Sequence, residues 1–292
     1  MQPNILYYDK EAESACMDIC DYLKIDNLPG INGRSFFEFQ GNKFLGLPVR
    51  KKHRVQVSDT LFERQILNKF RDNRHNVLFV YEGDVLRGVV HFSDYNKDAL
   101  LQSIQDDVLS FERKLRQLIL LNGFTNADML AYFRIKSTSK GSLRDKEYYE
   151  SRLKYFDRKF NEIESLGPFQ LFDFSDLLNF SASSYTGAIH KTTVYKWNGA
   201  KVAGAEILKE LRNMAMHGKN PVAKNKSTSI YSMDSLEKLS FSLRVLRKEY
   251  SSVSKKIRQH PDLLRSIELD NRSKLEIIHS HHPKALEYFL GW

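Results

Sequence analysis

Cysteine is almost missing: the 292-residue chain holds 2, Cys16 and Cys20. With no further cysteine to complete one, a disulfide or a metal site is the poorer reading of the pair. Lying four apart among Met17, Ile19 and Leu23, they share one helical face, where small apolar thiols pack into a core. Long apolar runs are missing too. None approaches the roughly eighteen residues that span a bilayer, so no membrane partner is expected. Met1-Gln2-Pro3-Asn4-Ile5-Leu6 lacks a basic start followed by an apolar core, so no secretory signal is expected, and a cytoplasmic location follows. No low-complexity tract interrupts the chain. With 41% hydrophobic and 28% charged residues, the composition is that of a globular protein.

What is there in excess is positive charge, +9 in all. Residues 1–97 carry 14 Lys and Arg against 13 Asp and Glu, whereas residues 98–292 carry 31 against 23. A basic second part is what a polyanion-binding module shows; a basic solvated surface without a partner is the alternative.

The first ninety-seven residues alternate helix and strand. Glu11 to Lys24 has helical spacing, and Ser35-Phe36-Phe37-Glu38-Phe39 is β-prone. Val55-Gln56-Val57 follows, with Ser58 or Asp59 placed to cap a helix running to Phe70. Asn76 to Tyr81 and Leu86 to Phe92 read as strands around the Glu82-Gly83-Asp84 turn, and Ser93-Asp94 can cap the next helix. A strand–helix–strand–strand pattern thus recurs at a separation of about fifty residues. Its second copy, Leu86-Arg87-Gly88-Val89-Val90-His91-Phe92-Ser93-Asp94, resembles a CBS motif. That resemblance implies an adenine nucleotide between the two copies, with Asp94 on its ribose and Ser93 beside it. His91 stands where Thr or Ser is usual.

From Asp98 the pattern turns helical. Helices are expected over Asp98–Gly123, Asp145–Leu166, Phe169–Phe180, Ala200–His217 and Ser232–Arg258, with a flexible loop at residues 137–142. Gly218 and Pro221 mark the end of the fourth. The stretch Leu208 to Gly218 contains Arg212-Asn213-Met214-Ala215-Met216-His217. It resembles the Arg-Asn-x-x-x-His helix end of the HEPN family, and Phe169 to Leu178 weakly resembles that family's penultimate helix. The expected architecture is therefore α+β: a CBS-like α/β pair over 1–97, a HEPN-like helical bundle over 98–258 and a C-terminal extension over 259–292.

The spacing suits the chemistry the resemblance implies. Asn213 and His217 stack on one helical face, and the long side chain of Arg212 can reach round to it. A histidine in the last turn is favoured as imidazolium by the helix dipole, and a guanidinium fork bonds two phosphate oxygens at once. The resemblance implies a metal-independent endoribonuclease, a toxin or phage-defence effector, with Arg212 on the phosphate, His217 as acid or base and Asn213 orienting it. It implies a homodimer, and an antitoxin or regulatory partner is to be expected. Lys219, Lys224 and Lys226 are placed to hold the RNA backbone. No carboxylate cluster suggests a metal. The alternative is a non-catalytic nucleotide-sensing or interaction module; a DNA-binding regulator lacks a recognition-helix signature. Elsewhere, Glu112 and Arg113 read as a solvated pair, His279, His281 and His282 as unliganded surface, and His190 and Lys191 as loop residues of no assignable role.

Overall fold

The computed structural model describes residues 5–23, 25–59, 61–72, 77–139, 142–159, 169–217, 223–225 and 228–259, with side chains at 72, 223–225 and 228–231 outside that description. Helices and small sheets are mixed, an α+β fold, and the chain divides into two compact units, Met1–Ser103 with Met214–Phe241, and Ile104–Asn213 with Ser242–Trp292.

The first unit opens with α1 (Glu13–Leu23), followed by an antiparallel sheet of β1 (Asn27–Pro29), β2 (Ser35–Gln40) and β3 (Lys43–Pro48). Gly41 and Asn42 both take positive φ, 54° and 67°, the two-residue turn whose twist matches a hairpin. Tyr8 bridges to Gly30 in parallel beyond β1. Cys16, Cys20 and Leu28 form one small buried cluster, in which burial pushes the Cys20 thiol up to about 11. The second round is β4 (Arg54–Gln56), α2 (Arg64–Asp72), β5 (Val77–Glu82) and β6 (Val85–His91). Here β4 runs parallel to β5 and β6 antiparallel to it. The helix expected from Ser58 or Asp59 starts later, at Arg64. The Asp59 carboxylate accepts from the Gln56 amide at 2.8 Å, so it closes a turn at the end of β4 and caps no helix.

Helices dominate afterwards: α3 (Asp98–Leu121), α4 (Asn126–Thr138), α5 (Leu143–Arg158) and α6 (Phe174–Ser181). The hairpin β7 (Val194–Trp197) and β8 (Ala200–Ala203) leads into α7 (Gly204–Met216). The hairpin β9 (Ala223–Asn225) and β10 (Thr228–Tyr231) precedes α8 (Met233–Arg258). Two expectations are corrected. Residues 137 and 138 end α4 and belong to no loop, because Thr125 and Asp128 cap that helix reciprocally and Ser142 caps the next. Residues 200–203 are a strand, because Asn198 and Gly199, at φ 47° and 81°, turn β7 back on itself.

The second unit packs aromatic rings: Phe156 meets Phe172 at 4.6 Å between centroids, and Tyr132 meets Phe180 at 5.4 Å. Beside them Asp176 is fully buried, yet it faces Arg152 and accepts from the Tyr148 hydroxyl at 2.6 Å. Burial still holds its carboxyl above the ordinary value, against Arg152 and Tyr148. Arg152 also reaches Asp173 at 3.2 Å and lies over the Phe156 ring at 4.8 Å. Removing Arg152 would strand a buried carboxylate. Arg152→Ala should cost about 3–5 kcal/mol in urea unfolding, whereas Arg152→Ala with Asp176→Asn should recover a substantial part. Equal losses in both variants would show that the pair is not the stabilising contact.

Candidate active site

The Arg212–His217 segment occupies the last two turns of α7, and the start of that helix sets its register. Gly204 donates its amide to the Thr193 carbonyl at 2.9 Å, and Ala205 donates to Thr192 Oγ1 at 3.0 Å. A methyl on Gly204 would lie 2.8 Å from the Thr193 carbonyl oxygen, so the close approach needs glycine. Ile207, Leu208, Leu211 and Ala215 then line the buried face.

Asn213 and His217 are exposed, with His217 one residue beyond the last helical position. Arg212 is half-buried, and its Nε is buried with no hydrogen-bond partner. Five residues at about 100° each set Arg212 roughly 140° around the helix from His217, against roughly 40° for Asn213. The helix therefore brings Asn213 and His217 to one face and leaves Arg212 on the flank of the packed face. No hydrogen bond among the described residues joins the three. Lys219 and Lys226 lie outside the described residues, as do the Lys224 side chain, Gly218, Pro221, His279, His281 and His282.

His91, Ser93 and Asp94 are brought together in a 3-10 turn over Phe92–Asn96. One Asp94 oxygen accepts from the His91 amide at 2.9 Å, and the other faces the Lys97 ammonium at 2.8 Å. His91 Nδ1 meets Ser93 Oγ at 2.7 Å. Burial lowers the His91 pKa, partly offset by Asp26 and Asp94. The three polar groups close the turn on one another, so a ribose at Asp94 would share its carboxylate with the His91 amide and Lys97.

Glu112 departs from the solvated pair expected of it. It is 7% exposed and faces Arg116, whose guanidinium also donates to the Phe169 carbonyl at 3.0 Å and the Phe172 carbonyl at 3.3 Å; Arg113 is exposed. Among the described residues, no group of three or more His, Cys, Asp or Glu is placed to hold a metal ion.

Sequence reasoning missed a second constellation. His190, expected in a loop without a role, is 1% exposed, with Nε2 at 3.3 Å from Glu249 Oε2. Neither ring nitrogen meets strict hydrogen-bond geometry, so the two groups are in close polar contact without an aligned bond. The other Glu249 oxygen accepts from the Tyr195 hydroxyl at 2.6 Å and the Thr193 amide at 3.0 Å. Burial alone would raise the Glu249 pKa; contacts from His190, Tyr195 and Thr193 outweigh it and hold the carboxyl below its ordinary value. The sequence signal was the Trp197-Asn198-Gly199-Ala200 turn, which announces a hairpin needing an anchor.

No family model matches this chain, and no match is found among curated proteins or among solved structures.

Glu249 carries a pH signature. A carboxyl depressed in the folded state stabilises above its ordinary value, 4.5, and that contribution is lost as pH falls through the lower folded-state value. Glu249→Gln should therefore be less stable than the parent at neutral pH, by roughly 1–3 kcal/mol, and the gap should narrow between about pH 5 and 3. Melting temperatures across that range test it; a gap independent of pH would assign the loss to shape and not to charge.

Proposed function

We propose that the chain is a metal-independent endoribonuclease of the HEPN type, preceded by a CBS-like pair. The observation carrying this reading is the buried, unpartnered Nε of Arg212, four residues from a helix end at which His217 stands exposed. A guanidinium with an unpartnered Nε and a histidine open to solvent suit a phosphate ligand and a proton carrier.

In the proposed reaction the ribose 2′-hydroxyl attacks the adjacent phosphorus. The O2′–P bond forms, the P–O5′ bond breaks, and a 2′,3′-cyclic phosphate and a 5′-hydroxyl result. One histidine accepts the 2′ proton and another supplies a proton to the leaving oxygen, while Arg212 meets the charge that builds on the phosphate. A single helix end offers one histidine, so a homodimer with two motifs across a twofold axis completes the set. The angular separation of Arg212 from His217 favours the same arrangement, since each chain's arginine is not on its own histidine's face.

The polar turn at His91, Ser93 and Asp94 would be the regulatory element, with an adenine ribose joining Lys97 on Asp94. An antitoxin or other regulatory partner would act on the same helix end. Among the described residues no helix is long and apolar enough to cross a membrane.

Single-stranded RNA incubated in EDTA should be cut to products with 2′,3′-cyclic ends. His217→Ala should reduce the rate by about 10²–10⁴, Arg212→Lys should not restore what Arg212→Ala loses, and RNA methylated at O2′ should stay whole. Cleavage undiminished in His217→Ala would sink the assignment. Intact RNA together with a melting temperature raised by AMP or ATP would favour a nucleotide-sensing module.

A further inference from the structure

A groove of about 430 Å³ opens between α3 and α8, lined by Asp107, Ser110, Leu246, Arg247, Tyr250 and Ser251. Its lining offers a phenol ring, a guanidinium, two serine hydroxyls, one carboxylate and a leucine side chain. That set matches one nucleotide: a ring for a base to stack on, an arginine for its phosphate, and a carboxylate to accept from a base amino group.

The α8 side of the groove is cationic, facing Asp107 and its exposed neighbour Asp106 on α3. The adjacent pair Arg247 and Lys248 is followed at three- or four-residue steps by Ser251, Lys255 and Arg258, all exposed, a stripe roughly 16 Å long on one face of α8. Glu249, the carboxylate within that stretch, is 2% exposed and committed to Tyr195 and Thr193. It thus adds no negative charge to the outer face. The hairpin held by Glu249 extends the charge. Lys196 and Lys201 are exposed and stand directly opposite each other across β7 and β8. Like charges in that position oppose pairing. No Asp or Glu occurs between Leu177 and Glu206 to relieve them. Lys248 also lies 5.2 Å from the Tyr195 ring centroid, linking stripe and hairpin.

We propose that this surface binds single-stranded RNA, one nucleotide seated on Tyr250 and Arg247 and the flanking phosphates on Lys255, Arg258 and the Lys196–Lys201 pair. The proposal rests on the reading of RNA as substrate. Duplex recognition is disfavoured because the groove offers a ring face, which a stacked base pair does not need.

The test is fluorescence anisotropy of the full chain with a short, fully 2′-O-methylated oligoribonucleotide, which cannot be cut. Arg247→Gln with Lys255→Gln should weaken binding at least tenfold at moderate salt and lower the slope of log affinity against log salt by about 1.4, two phosphate contacts' worth. Tyr250→Leu should weaken binding about tenfold with the slope unchanged. Lys196→Gln with Lys201→Gln should lower the slope and raise the melting temperature. Circular dichroism separates these effects from unfolding, and the single variant Arg258→Gln serves if a double variant misfolds. Parent-like binding in the folded variants, no binding by the parent, or losses seen on anionic vesicles but not on RNA would each overturn the proposal. Cleavage undiminished in His217→Ala, alongside the expected binding losses, would remove the catalytic reading and leave this one standing.

Discussion

The second unit depends on where one carboxylate sits. Glu249 is buried on α8, and its oxygens gather His190, the Thr193 amide and the Tyr195 hydroxyl. Those three residues belong to a stretch with few apolar contacts of its own; β7 and β8 form a two-stranded hairpin, an element barely stable alone in water. A buried charge would cost several kcal/mol if left unpaired. Here it is satisfied by the very segment that needs an anchor, so hairpin and helix each supply what the other lacks. The consequence runs onward. Once Thr193 is fixed, its carbonyl and the Thr192 hydroxyl receive the first amides of α7, and Gly204 permits the close approach. The register of α7, and with it which residues face inward at 207, 208, 211 and 215, follows from a hydrogen bond made to a different helix.

Asp176 solves the same problem with the opposite balance. It is as buried as Glu249, but burial outweighs its partners and its carboxyl is raised, whereas the contacts on Glu249 win and its carboxyl is lowered. The partner sets are alike in part: each carboxylate accepts from a backbone amide at 3.0 Å, Asp173 for Asp176 and Thr193 for Glu249, and from a phenol hydroxyl, Tyr148 or Tyr195. Asp176 faces Arg152 in addition, and burial still outweighs its partners, whereas at Glu249 the contacts, His190 among them, outweigh burial. Acid therefore threatens the hairpin anchor before it threatens the aromatic core around Asp176.

Local rules carried the sequence reading as far as single elements. The strands at 35–40, 77–82 and 85–91 and the long helices α3 and α8 announce themselves by aromatic or β-branched runs or by three-and-four spacing. What escaped was punctuation. Thr125 with Asp128 signals the start of α4, and Asn198-Gly199 is among the strongest hairpin signals a sequence can hold, yet both sit inside stretches whose apolar spacing suggests continuity. Asp59 misled in the other direction, because a carboxylate able to cap a helix can equally close a turn at a strand end. For the candidate site, the pairing of Asn213 with His217 was legible from spacing alone. The burial of Arg212 was not, since it depends on the start of α7 being set by residues 192 and 193. The roles of Glu112 and His190 were hidden for a similar reason: their partners lie four residues away on the same face in one case and 59 positions away in the other.

The distribution of charge gives the remaining step. A chain at +9 could spread its excess evenly, and an even spread would minimise self-repulsion. Instead Lys196 and Lys201 are cross-strand neighbours on a hairpin that is already marginal, and Arg247, Lys248, Lys255 and Arg258 line one face of a helix whose intervening glutamate is turned inward. Both arrangements cost stability in the free protein. The inward Glu249 is what makes them compatible with folding: it fixes the hairpin through neutral donors and leaves the cationic ends of the neighbouring side chains outside. The interaction that orders the hairpin also turns the one acid of this stretch of α8 inward and leaves its bases outside, so a polyanion would meet a face whose repulsion it relieves.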